Sequence, residues 1–126
     1  MTARRSKLSL ATETTYAAVV GRVLVLLRRE RRIRQSELAG AAGVGQSTWS
    51  RIEAGASALT VDQLGRVAKA LGLDAGDILA KADESVAGLE AEGIKVRRER
   101  SRGAHLALAL IGAAALGLLV ARILRK

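Results

Sequence analysis

Between Ala42 and Gly55 the chain reads AGVGQSTWSRIEAG. A short helix between these glycines sets Gln46, Ser47, Ser50 and Arg51 on its outer side. Trp49 and Ile52, three residues apart, anchor its inner side. Gln and Arg carry paired hydrogen-bonding groups that fit the edges of bases, and a Ser hydroxyl bonds to bases or phosphates. The chemistry these residues suit is recognition by hydrogen bonding, with a polar face turned toward something other than water.

Catalysis has little to draw on. The 126 residues contain no cysteine and one histidine, His105, so disulfides, thiolate zinc sites and thiol nucleophiles are excluded. No nucleophile–base pair, metal cluster or phosphate loop stands out. The expectation is a protein that is not an enzyme, with no cofactor, no metal and no evident small-molecule substrate. Proline and phenylalanine are absent, and Ala, Leu, Arg and Glu favour helices over strands.

A net charge of +9 asks for an anionic partner, either nucleic acid or lipid head groups. The charge is uneven. Met1 to Arg34 holds nine Lys/Arg against Glu13 and Glu30, a net +7, whereas Gln35 to Asp83 sums to −2. Attraction to phosphate must then come mostly from the run Arg28 to Arg34, Arg32 included, and from Arg4, Arg5 and Lys7 in the N-terminal arm. Basic residues at a helix C-terminus also suit its dipole, so part of the run is open to a structural role.

The elements that must position the outward row follow from spacing and breakers. Residues 1–15 read as a basic flexible arm, not a secretory signal, because no apolar core follows the charges. Thr14 or Thr15 can cap a first helix over Tyr16 to Arg31. That helix has two apolar stripes: Val20, Leu24 and Leu27, and beside it Tyr16, Val19, Val23 and Leu26. The second stripe reads either as part of a wide core face or as a dimer seam. Helices follow over Gln35 to Ala42, Gln46 to Ala54 and Val61 to Leu71, the last opened by a Thr60–Gln63 capping box. Asp74 caps a fifth carrying Ile78 and Leu79. The fold class is all-α: a compact five-helix domain over 16–82, a charged, partly helical linker over 83–103, and a C-terminal apolar helix.

The last element is uncharged from Ala104 to Ala121. About 18 residues at 1.5 Å each reach roughly 27 Å, close to the hydrocarbon thickness of a bilayer. The expectation is a transmembrane helix over 104–124 in contact with membrane lipid; the alternative is a buried helix in a soluble oligomer. Ala109, Ala113, Gly117 and Ala121 recur every four residues, the spacing by which membrane helices pair. The cluster KVRRERSRG before this run favours an N-terminus held in the cytoplasm.

Helix two, the turn at Gly43 and helix three form a helix-turn-helix. Ala39 is the small residue at the crossing, and Ile52 with Trp49 anchors the third helix. With that arrangement in hand, RRERRIRQSELAGAAGVGQSTWSRIEAGASALTVDQLGRVAKALGLDAGDIL resembles the Cro/C1-type (XRE-type) helix-turn-helix of phage repressors and bacterial regulators. The resemblance runs from Leu24 to Leu79. It implies that Gln35 contacts a phosphate, that Gln46, Ser47, Ser50 and Arg51 face DNA, and that Thr48 lies near the DNA backbone. Arg34 and Gly45 stand where the family usually has Ser or Thr, and Val23, Val25 and Leu26 stand where it usually has polar residues, which suggests an extra partner surface.

The reading is a sequence-specific regulator of transcription that binds double-stranded DNA as a homodimer, tethered to the cytoplasmic face of a membrane. The alternative is a membrane-attached module that uses the same fold to hold a protein partner, and for location a soluble cytoplasmic chain.

Overall fold

The computed structural model describes residues 12–98 and 112–125. Within them a short strand β1 (Glu13–Thr15) leads into α1 (Tyr16–Glu30), then α2 (Gln35–Ala42), α3 (Gln46–Ala54), α4 (Val61–Ala70) and α5 (Ala75–Ala91). A second strand, β2 (Lys95–Arg97), and a last helix, α6 (Ala113–Leu124), follow. The five expected helices occur in order, and local chemistry sets their ends. The Thr15 hydroxyl accepts from the Ala18 N–H at 3.1 Å. Thr60 and Gln63 bond reciprocally, 3.1 Å from the Gln63 N–H to the Thr60 hydroxyl and 2.9 Å from the Thr60 N–H to the Gln63 side chain. At α5 the Asp74 N–H donates to Asp77 at 2.9 Å.

α1 is the central rod, packed against α3, α5 and α6. Val19, Val23 and Leu24 are fully buried along it, beside Trp49, Leu38, Val67, Ile78 and Leu89 from the surrounding helices. Two glycines let backbones close in. A Cβ on Gly21 would stand 2.5 Å from the Ile52 carbonyl oxygen and 2.6 Å from that of Glu53, so α1 and α3 touch where there is no side chain. Gly55, at φ 85°, ends α3 with the same intimacy against Ala18.

Three expectations are corrected. The stretch expected as a partly helical linker from 83 opens instead as an unbroken continuation of α5 that belongs to the core, because Ser85, Val86 and Leu89 are buried on its second half. β2 then pairs in parallel with β1, Glu13 opposite Lys95 and Thr15 opposite Arg97, with Arg97 bonded to Glu13 at 3.1 Å. The end of the expected flexible arm is therefore tied down, while residues 1–11 lie outside the described residues. Of the two readings of the second apolar stripe of α1, the wide core face holds for Val19 and Val23, which are sealed, and Tyr16 donates to Asp83 of α5 at 2.7 Å.

The third correction concerns the apolar tail. α6 has 12 residues, about 18 Å of helix against ~30 Å of hydrocarbon. Among the described residues no helix is long and apolar enough to cross a membrane; residues 104–111 of the expected span lie outside them. Leu116, Val120 and Ile123, at helical spacing, enter the core against α1 and α5. Ile123 seats on Gly88, where an added Cβ would meet it at 2.8 Å, and Arg122 bonds Glu92 at the end of α5. Within α6, Leu116, Val120 and Ile123 form a core face within the chain itself. Val25 and Leu26, unusual at their positions in α1, lie beside α6, and Val23 is buried in the core.

Candidate nucleic-acid interface

α3 is one-sided. Gln46, Ser47, Ser50 and Arg51 are exposed, Thr48 is half-buried, and Trp49, Ile52 and Glu53 are buried. A helix of nine residues has little stability of its own, so its buried side must fix it. Below it, α2 packs Leu38, Ala39 and Ala42 inward. The turn between them closes with Val44 N–H to the Ala39 carbonyl at 3.0 Å. Arg66 of α4 reaches across and donates to the carbonyls of Ala41 and Ala42 at 3.2 and 3.3 Å, capping the open end of α2.

The residue that locks the unit together is Glu53. Its side chain is 4% exposed, yet it carries a carboxylate. One oxygen accepts from Arg28 Nε at 2.7 Å and Trp49 Nε1 at 2.8 Å. The other accepts from Gln35 Nε2 at 2.6 Å and Arg28 Nη2 at 3.2 Å. One buried anion thus joins α1, the start of α2 and the inside of α3 with four donors. Such a charge is tolerated because it is both paired and fully hydrogen-bonded.

This hub divides the basic run at the end of α1. Arg28 is turned inward, and its Nη1 also bonds the Ile33 carbonyl at 3.1 Å. Arg31 donates to the Leu71 carbonyl at 2.8 Å, capping α4. Arg29, Arg32 and Arg34 are left exposed. Arg32 turns the chain out of the helix at φ 55°, a conformation that a non-glycine residue adopts at some cost.

Beside α3 lies an open cleft of about 460 Å³ lined by Arg28, Arg29, Arg34, Gln35, Ser36 and Gln46. Gln35 and Gln46 are the first residues of α2 and α3, so two helix N-termini, with their unpaired N–H groups and positive dipole ends, meet guanidinium groups there. That combination suits a phosphate. Of the residues expected from sequence, Gln46 and Gln35 come together here. Ser47, Ser50 and Arg51 continue along the outer face of α3, where Arg51 is 3.5 Å from the Ser57 hydroxyl. Gln35 has one amide hydrogen committed to Glu53, and Arg32 stands outside the cleft lining. Arg28, Arg29, Arg34, Ser36 and Glu53 complete the picture and were not singled out individually from sequence; the four-residue spacing of Trp49 and Glu53 was the available signal. Among the described residues no group of three or more His, Cys, Asp or Glu could hold a metal ion, and His105 lies outside them.

Comparison with known proteins agrees with this geometry. The family model described as a helix-turn-helix domain matches residues 19–80. Among solved structures the chain is similar to the clp gene regulator ClgR from Corynebacterium glutamicum, with 28% identity and a TM-score of 0.59. That match covers 63% of this chain and 84% of the other. No curated protein matches the chain. The stretch from 19 to 80 thus matches a helix-turn-helix domain in sequence, and its α2, turn and α3 have the helix-turn-helix arrangement.

Proposed function

We propose that this chain is a DNA-binding transcriptional regulator of the Cro/C1 type, a binding protein rather than an enzyme, which occupies its operator as a homodimer. The observation that carries the reading is the one-sidedness of α3. A row of Gln46, Ser47, Ser50 and Arg51 is exposed while Trp49, Ile52 and Glu53 root the helix in the domain. The similarity to a gene regulator supports the same reading. In this mechanism α3 enters the major groove, and Gln46 and Arg51 read base edges. The cleft at the N-termini of α2 and α3 takes a phosphate of the flanking backbone and fixes the register of the helix. Two copies would set their recognition helices about 34 Å apart on one face of the duplex.

Titration of the full chain against duplexes selected from random sequence, over a salt series, tests the proposal. Arg51→Ala should cost about 1–3 kcal/mol on the selected site and little on random duplex. Arg32→Ala should weaken both alike and lower the salt slope by about one. Failure of the native chain to bind any duplex at low salt would refute the reading, and equal losses for Arg51→Ala on both duplexes would refute base recognition by that residue.

A further inference from the structure

Where α6 lies along α1, a groove of about 600 Å³ remains, within the range of small-molecule sites. Its walls are largely aliphatic, from Val25, Leu26 and Leu118, and at Gly117 the missing side chain leaves room for Arg22, whose Nε would be 3.4 Å from a Cβ there. Leu118, a large aliphatic side chain on the lip, is 75% exposed. Into this apolar setting α1 inserts Arg22. Its Nε is buried without a hydrogen-bond partner, and among the described residues no ion pair ends on its guanidinium.

Among the described residues no carboxylate is bonded to the guanidinium. Burial is the main influence lowering its proton affinity; Glu53 opposes this, and Arg29 and Arg28 add to it. Glu53 cannot serve as its partner, because both carboxylate oxygens are already taken by Arg28, Gln35 and Trp49. A buried donor without an acceptor is uncommon in native proteins, and one beside an open apolar groove marks where a ligand's acceptor belongs. We propose that this groove binds an unbranched aliphatic carboxylate, with its head group at Arg22 and its tail along Val25, Leu26 and Leu118. Charge favours this occupant over a second copy of the chain, which would bring its own Arg22 and Arg29 to face these across a twofold axis. Inorganic phosphate has no tail for the aliphatic walls.

Arg29 lines both this groove and the phosphate cleft beside α3. A bound carboxylate therefore adds negative charge next to the surface proposed to meet DNA, and it should weaken duplex binding. This consequence rests on the DNA-binding reading; ligand binding itself does not.

Calorimetric titration of the full chain with sodium decanoate, below its micellar concentration, tests the site. Saturable binding of one decanoate per chain is expected. Octanoate and dodecanoate should differ from it by about two- to fourfold per methylene. Decanol, which has the tail without the charge, should bind at least about tenfold more weakly. Arg22→Gln and Gly117→Leu should each lose at least about tenfold, the first by removing the cation and the second by pushing the Arg22 guanidinium aside. Circular dichroism shows whether these two variants are folded. Leu118→Glu, at an exposed position that folding does not depend on, should weaken decanoate comparably by placing a like charge at the mouth. The proposal is overturned by absence of decanoate binding, by equal affinity for decanol, or by unchanged affinity in the folded variants. If decanoate binds as expected but no duplex does, the groove stands and the DNA-binding reading falls.

Discussion

Glu53 is a charge that the domain could not leave half-paired. Its four donors come from Arg28, Gln35 and Trp49, residues on three separate helices. Glu53→Gln keeps the shape but removes the charge and turns one acceptor into a donor facing donors. We expect about 3–5 kcal/mol of destabilisation in urea unfolding, the usual consequence of removing one partner of a buried pair. Tyr16 offers a test by pH. Burial, followed by the hydrogen bond to Asp83, raises its hydroxyl pKa from 10.0 to about 12. The folded state therefore holds this proton more tightly than the unfolded state. The stability that Tyr16 contributes is present below pH 10 and is lost as pH rises toward 12. Tyr16→Phe should flatten that part of the alkaline stability profile relative to the native chain, as followed by thermal melts. Identical alkaline slopes for the two proteins would contradict the assignment.

As an element, α3 is positioned by a contact without side chains. Gly21 allows the backbone of α1 to meet the Ile52 and Glu53 carbonyls, and any Cβ there would sit about an ångström too close to both. Gly21→Ala has no flexible neighbour to push aside, so α3 itself must move. A loss of about 2–3 kcal/mol is expected, together with weaker duplex binding even where the variant remains folded, because Gln46 to Arg51 shift relative to the phosphate cleft. Unchanged stability by calorimetry would show that the two helices can part at no cost. The basic end of α1 shows the same dependence on context. Charge alone made Arg28 to Arg34 a single phosphate-binding run, whereas packing turned Arg28 and Arg31 into structural caps and left Arg29, Arg32 and Arg34 outside.

Over the whole molecule, α6 makes the far end of the described chain part of the domain. Leu116 is fully buried between α1 and α5. Leu116→Ala should lower the unfolding free energy by about 2–5 kcal/mol in one cooperative transition. A change near zero, or a separate early transition, would mean that α6 is an appendage. This packing also completes the groove at Arg22, so the proposed carboxylate site depends on residues about a hundred positions apart in sequence.

Sequence alone determined the helices, their caps and the two-sided character of α3. Those features depend on neighbours within four residues: Thr60 with Gln63, Trp49 with Ile52, and Gly55 after the helix. The helix-turn-helix was legible because it is a run of such local signals in the right order. The partners of distant groups were not legible. The aliphatic run over 104–124 fits lipid or a core equally well, since both lack water, and it is the position of α1 and α5 against Leu116, Val120 and Ile123 that puts its described part, α6, against the core. The three-residue strands are too short to leave a pattern, and nothing near Glu53 in sequence announces Arg28. Burial and long-range pairing are properties of the assembled chain, and tertiary structure decided them.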